Sequence, residues 1–212
     1  MIIKKFKFNP FPVNTFILYD ETNECVVIDA GMLFDNEKEQ FNSFITSNNL
    51  KIKHLLNTHL HFDHIVGNPF IEKKFGMKAK AHEADIFLLN RAKEQAAMYG
   101  FHLDDENISL ETFINEEDVI QFGNSELKIL HVPGHSPGSL VFYSVANKCI
   151  FSGDVLFYQS IGRTDLPGGN YQELIDNIQE KLLILPDETL VYPGHGPTTT
   201  IGKEKRGNMF LA

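Results

Sequence analysis

Five of the nine histidines, together with two aspartates, stand at spacings that suit metal binding. The run Thr58-His59-Leu60-His61-Phe62-Asp63-His64 packs three imidazoles and a carboxylate closely, and His135, Asp154 and His195 follow singly. Neutral imidazole and carboxylate oxygen are the usual ligands of zinc, iron and manganese. His59 and His61 are two apart, so an extended or looping backbone points both rings the same way. Asp63 and His64 come where the chain turns into a helix, and adjacent residues there diverge, which suits a second ion beside the first. Two-metal hydrolytic sites hold their ions ~3.5–4 Å apart and clamp an oxygen between them. Such a pair wants a carboxylate that reaches both ions, and Asp154 in Phe151-Ser152-Gly153-Asp154 ends a strand as that ligand should. His135, in Pro133-Gly134-His135-Ser136-Pro137-Gly138, and His195, in Pro193-Gly194-His195-Gly196-Pro197, each project from a glycine turn after a strand. Glycine there permits close backbone approach and positive φ. The chemistry implied is that of a metal-dependent hydrolase.

The remaining histidines, His54, His82, His102 and His131, lack partner spacing and read as core or surface residues. His131 precedes His135 by four positions, but its strand-like context makes it a packing residue. Cys25 and Cys149 sit in apolar runs without a CxxC pairing and read as small buried hydrophobes. A net charge of −9 disfavours nucleic acid as a partner, because phosphate affinity rests on clustered Lys and Arg. The N-terminus, Met1-Ile2-Ile3-Lys4-Lys5-Phe6, has neither a long apolar run nor a small-residue cleavage site, and no stretch reaches membrane-spanning length. A cytoplasmic protein with a small-molecule substrate is expected; the oligomeric state is left open.

These residues must be placed by short elements. Alternation predicts strands at 2–8, 13–19, 24–29 and 51–57, a helix at 35–48 with Phe41, Phe44 and Ile45 on one face, a helix near 65–75 and a strand at 79–81. A helix is expected over 83–99, with Ile86, Leu89, Ala92 and Ala96 as its stripe. Residues 100–116 read as irregular, a segment able to cover a cleft. Strands return at 118–122, 126–132, 139–144 and 148–152, followed by a Gly-rich segment (161–169), a helix (171–183), a strand (189–192) and a loop-like tail. Strands then helices, repeated in two halves without a linker, predict a single domain over 1–212 with two sheets between helices.

The histidine run with Gly67, followed by His135, Asp154 and His195, resembles the metallo-β-lactamase-fold superfamily. Gly153-Asp154-Val155-Leu156-Phe157, Gly162-Arg163-Thr164-Asp165 and the closing Pro193-Gly194-His195-Gly196-Pro197 narrow the likeness to its glyoxalase II (hydroxyacylglutathione hydrolase) branch, and to the short single-domain bacterial type. The resemblance implies an α/β fold, the four-layer αββα sandwich, with two divalent metal ions at one edge of the sheets. It implies one ion on His59, His61 and His135, a second on Asp63, His64 and His195, and Asp154 bridging. Zinc is the first expectation, with iron or manganese compatible with the same ligands.

The activity implied is hydrolysis of S-acyl thioesters like S-lactoylglutathione by a hydroxide held between the metals, with Asp63 orienting it as well as ligating. A thiolate leaves readily, and no Ser-His-Asp or catalytic cysteine arrangement is evident. Arg163 is the candidate for gripping an anionic substrate group, a structural pair with Asp165 being the alternative. Tyr158 is the candidate for lining the pocket, against a packing role. Lys203, Lys205 and Arg206 read as solvated tail charges. Glutathione-specific members carry a C-terminal helical domain and have Glu and Tyr after the last metal histidine, where Gly196 and Pro197 stand here. The thiol carrier is therefore open. The rival within the superfamily is a persulfide dioxygenase with one iron on His59, His135 and Asp154. A β-lactamase is disfavoured by the lack of an export signal, a nuclease by the acidic charge, and a non-catalytic metal-bound partner protein has no feature recommending it.

Overall fold

Alternation along the strands decides the layering. The computed structural model describes residues 1–101, 103 and 108–211. Strands β1 (Ile2–Phe8), β2 (Val13–Tyr19), β3 (Glu24–Ile28), β4 (Lys51–Leu56), β5 (Ala79–Ala81) and β6 (Leu110–Phe113) form one sheet in that order. Its first three strands are antiparallel and the rest run parallel. The second half contributes β7 (Val119–Phe122), β8 (Ser125–His131), β9 (Leu140–Ser144), β10 (Cys149–Gly153), the ribbon strands β11 (Leu156–Phe157) and β12 (Ser160–Ile161), β13 (Leu190–Pro193) and β14 (Thr199–Thr200). Apart from the ribbon these make a second sheet in the order β14-β13-β10-β9-β8-β7.

In β2, Phe16 and Leu18 face the second sheet while Ile17 faces outward; in β3, Val26 and Ile28 face in while Cys25 and Val27 face out. The inward set meets Ile120, Phe122, Leu127, Ile129, Phe142 and Phe151 of the second sheet and forms the dry layer between the sheets. Outside the first sheet, helices α1 (Asp35–Ser47) and, beyond the short α2 (Phe62–Ile65), α3 (Asn68–Phe75) bring Phe41, Ile45 and Ile71 onto Ile17 and Val27. Helices α4 (Ile86–Asn90) and α5 (Ala92–Met98) cover Leu60, Phe62 and Ile65 in a satellite cluster. Outside the second sheet, α6 (Tyr171–Asn177), its π-helical continuation Ile178–Leu182, and α7 (Ile201–Gly207) bury Leu174, Ile178, Leu182 and Ile201 on Val141, Ile150 and Val191. The order is helix, sheet, sheet, helix, as expected. Both cysteines are free and buried, and burial pushes their thiols up to about 12 for Cys25 and about 11 for Cys149.

Several elements differ from their expected form. The helix expected near 65–75 starts at Phe62 and breaks after Ile65, because the Gly67 N–H leaves the helical ladder to donate to Ala30 O (2.7 Å). The helix expected over 83–99 is a 3₁₀ turn at Glu83–Asp85 followed by α4 and α5; the Arg91 N–H donates to Leu88 O, closing a tight turn between them. Its apolar stripe misled because Ile86 is exposed and Leu88 is buried instead. Within 100–116, β6 extends the sheet edge, its mostly exposed side chains giving no alternation to read. Phe101, Leu103 and Ile108 of the same segment pack on the satellite cluster; His102 and residues 104–107 of the segment expected to cover a cleft lie outside the described residues. The tail is not a loop: Thr200 caps α7 by accepting from Lys203 N–H, and Ile201 anchors it in the outer core. Lys205 and Arg206 pair with Asp187, as solvated charges would.

The fully buried Phe142 sits in the layer between the sheets. Phe142→Ala is expected to lower unfolding free energy by about 3–5 kcal/mol, measured by denaturant titration; a loss below about 1 kcal/mol would contradict this placement of the core.

Candidate metal centre

Strand direction brings the candidate ligands to one edge. β8 is antiparallel to β9, β9 to β10, and β10 is parallel to β13, so β8, β10 and β13 all end at the same side of their sheet. Those ends carry His135, Asp154 and His195. The first sheet delivers its contribution from the end of β4, where Asn57 and Thr58 lead into the histidine run. Backbone bonds lock the two sheets together there: Leu140 N–H donates to Thr58 O (2.7 Å) and Asn14 N–H to Gly194 O (2.7 Å). Two glycines are required. Gly153 takes φ +50 against the Thr58 side chain, and a Cβ at Gly194 would collide with Asp154 Oδ1.

All seven sequence-predicted ligands converge. Three groups of side chains bring their ligand atoms within 4.8 Å of one another: His59, His61 and His135; Asp63, His64 and His195; and His59, His64 and Asp154. His135 Nε2 lies 3.0 Å from His61 Nδ1 and 3.3 Å from His59 Nε2, while His64 Nε2 lies 3.2 Å from His195 Nε2. Asp154 reaches across both halves, with Oδ1 3.5 Å from His64 Nε2 and Oδ2 3.8 Å from His135 Nε2 and 3.4 Å from His195 Nε2. Asp154 Oδ1 is buried without a hydrogen-bond partner. Ring nitrogens facing one another around an orphaned carboxylate oxygen suit a shared cation, so the donor set fits two divalent ions.

The outer ring nitrogens are anchored, which fixes the tautomers. His135 Nδ1–H donates to Arg163 O (2.7 Å), His195 Nδ1–H to Phe11 O (2.6 Å) and His64 Nδ1–H to Asp29 Oδ2 (2.9 Å). Thr58 Oγ1 donates to Asp29 Oδ2 (2.7 Å) and accepts from His59 Nδ1–H (3.1 Å). Asp29 itself holds φ +54, a left-handed conformation that Asp tolerates better than most residues.

Charge divides the cluster in two. Burial, with neighbouring His64, His61 and His135, holds His59 well below its ordinary value; burial and His135 bring His61 to about 3. These rings offer lone pairs at neutral pH. Burial also opposes charge on His64 and His195, but Asp154 and Asp63 outweigh it, with Asp29 adding at His64. His64 is raised well above the ordinary range and His195 to about 9. Burial works against both carboxylates, yet His64 holds Asp63 and Asp154 below the usual carboxylate range.

A pocket of about 240 Å³ opens over this cluster, lined by Asp63, Asp154 and His195 on one side and Phe11, Phe62 and Tyr99 on another. Arg163 also lines it, while donating through Nε and Nη2 to both carboxylate oxygens of Asp165 (2.7 Å each). The pairing with Asp165 is thus present, and it leaves Arg163 at the pocket wall. Tyr158 is half-exposed and is not among the lining residues; its neighbour Phe157 is the ring near His195 (centroids 6.4 Å apart). His131 stacks on His82 (4.2 Å, 10° between planes), a packing role as expected. His54 Nε2–H donates to Gln121 O (3.0 Å). Sequence reasoning missed Asp29, Phe11, Tyr99 and Gln95. Asp29 had a signal, since Val26-Val27-Ile28-Asp29-Ala30-Gly31 ends a strand as the ligand segments do; the other three had none.

Two predictions follow from this geometry. His64 and His195 have folded-state values above the ~6.5 of an unfolded histidine, so their contribution to the metal-free protein is complete below that pH and lost as pH rises through the folded values, about 9 for His195. Chelator-stripped protein is expected to show a falling thermal midpoint across that window and to release protons on binding metal at neutral pH, by calorimetry in buffers of different ionisation enthalpy. A rising midpoint, or no proton release, would sink this assignment. Asp154→Ala should lose metal measured by elemental analysis, while His131→Ala retains it; metal loss in a folded His131→Ala protein would contradict the site.

The metallo-β-lactamase superfamily model matches residues 8–195. The chain is 38% identical over 202 residues to hydroxyacylglutathione hydrolase GloC of Haemophilus influenzae, covering 95% of this chain and 93% of that one. Among solved structures, it superposes with a TM-score of 0.87 on BLEG-1 B3 metallo-β-lactamase, at 34% identity over the whole of both chains. The TM-score is again 0.87 with TTHA1623 in a di-iron-bound form, at 33% identity, covering 98% of this chain and 100% of the other. With its strand-end histidines and aspartates gathered at one edge of an αββα sandwich, the chain belongs to the metallo-β-lactamase superfamily.

Proposed function

We propose that this superfamily hydrolase is a thioesterase of glyoxalase II type, acting on small S-acyl thioesters with two divalent ions per chain. The observation that carries the reading is the convergence of all seven ligands in two overlapping groups under one small pocket. The likeness to a hydroxyacylglutathione hydrolase over nearly the full length of both chains supports the substrate class. His59, His61 and His135 would hold one ion, Asp63, His64 and His195 the other, and Asp154 would serve both. Zinc is the ion proposed; a relative described in a di-iron-bound form makes iron its competitor.

Bound ions would supply Lewis acidity to a carbonyl oxygen and bring the pKa of a water toward neutrality. The chain's own residues do the rest. Asp63 Oδ2, 3.5 Å from His195 Nε2, lines the pocket and can accept a hydrogen bond from water, orienting it. Phe11, Phe62 and Tyr99 exclude solvent from one side, with Phe11 edge-on to Phe62 (5.2 Å) and Tyr99 (4.9 Å). Arg163, at the rim and held flat by Asp165, presents a cation to a carboxylate on the substrate. Among the described lining residues there is no serine or cysteine to act as a covalent nucleophile, so water is the attacking group. A thiolate needs no general acid to depart.

A second reading is favoured by the likeness to a B3 metallo-β-lactamase: the same site would open a β-lactam ring. Thiol release from S-lactoylglutathione, hydrolysis of a chromogenic β-lactam and metal content, measured on one preparation, separate the two. Two metals with steady thiol release and little β-lactam turnover is the expected result. Ring opening without thiol release, or one iron with neither activity, would overturn the thioesterase. Arg163→Ala should raise KM for an anionic thioester ~10-fold while leaving kcat nearly unchanged; a fall in kcat alone would contradict its substrate-binding role.

A further inference from the structure

Asp85 is fully buried, lies outside the ligand set and does not line the pocket. Its carboxylate ties together two segments distant in sequence. Oδ2 accepts from the Leu60 N–H (3.2 Å) and the Ser136 hydroxyl (2.8 Å), and Oδ1 accepts from the Gly138 N–H (2.6 Å). Leu60 stands between His59 and His61, and Ser136 follows His135 directly. The loop at Gly138 packs so closely that a side chain there would run into the carboxylate, meeting its Cγ at 2.7 Å. Burial raises this carboxyl above its ordinary value, and its bonds from Ser136, Gly138 and Leu60 offset the rise only in part.

We infer that Asp85 is the positioning residue of the first metal subsite, setting the gap between the His59–His61 loop and the His135 turn. The chemistry demands a carboxylate. Three donors converge on two oxygens, and two of the donors are backbone N–H groups that cannot reverse polarity. An amide of the same volume would turn an NH₂ toward at least one donor. Among the described residues, the Asp85 carboxylate bonds neither α2, which carries His64, nor the turn that carries His195; the outer nitrogens of those rings are held by Asp29 and by Phe11 O. Loss of Asp85 should therefore separate the subsites rather than weaken both.

The inference rests on the two-subsite reading, and the test reads metal affinity, so it does not depend on which substrate is cleaved. Stripped wild-type and Asp85→Asn proteins are titrated with zinc against a chromophoric chelator. Two binding steps in the wild type are required; a single step would overturn the two-metal reading itself. Asp85→Asn is expected to weaken one step ~10–100-fold and leave the other unchanged. In a His135→Ala background the substitution should have no further effect, while in a His195→Ala background its full effect should persist. Equal weakening of both steps, or of neither, would overturn the assignment. Should Asp85→Asn fail to fold, Ser136→Ala removes only the hydroxyl donor and should weaken the same step severalfold; unchanged affinity there would overturn it equally.

Discussion

The fold depends on holding five imidazoles and two carboxylates together at an edge where water is largely excluded. Such a cluster is unfavourable by itself: Asp154 Oδ1 is buried without a partner, and ring nitrogens face one another at 3.0–3.3 Å. The surrounding structure keeps these groups from relaxing apart. Strands of both sheets end there, backbone bonds from Asn14 and Leu140 join the sheets beside it, and the outer nitrogens of His64, His135 and His195 are tied to Asp29, Arg163 O and Phe11 O. A rigid cage around mutually repelling or unsatisfied groups gives a cation a pre-formed place to bind, with little ordering left to do on binding.

The charge in that cage is uneven, and the unevenness follows from which residues neighbour which. His59 and His61 are deeply buried beside other imidazoles and stay neutral. His64 and His195 face Asp63 and Asp154 and take up protons instead. In the metal-free protein His64 and His195 thus stand as partners of buried carboxylates, whereas His59 and His61 keep open lone pairs. A cation drawn to His59 and His61 meets neutral rings, while one drawn to His64 and His195 competes with protons beside Asp63 and Asp154.

The clustering of these side chains was legible because metal spacing is local: His59-x-His61-x-Asp63-His64 declares itself within a short run of chain, and the glycine turns mark the rest. The layering was legible because β2 and β3 alternate cleanly between the core of the sandwich and its outer face. What escaped depends on long-range pairing. Asp85 sits in a stretch whose periodicity suggested an unbroken helix, yet its partners are Leu60 and Gly138. Phe11 reads as one aromatic in an N-terminal turn, yet its carbonyl holds His195 and its ring walls the pocket. The tail helix was missed because its apolar anchor is the single residue Ile201, too little for periodicity to register.

The fold does not by itself select a substrate. Selection rests on the groups around the metal cluster, and here the pocket of about 240 Å³ is lined by a wall of Phe11, Phe62 and Tyr99 and by a cation, Arg163. The wall is contributed by the turn after β1, by α2 and by the residue closing α5, so three separately placed segments shape it. Arg163 is joined to the centre through its own carbonyl, which anchors His135. One residue thus holds the His135 ring with its backbone and lines the pocket with its side chain, so the shape of the pocket and the position of His135 are set together.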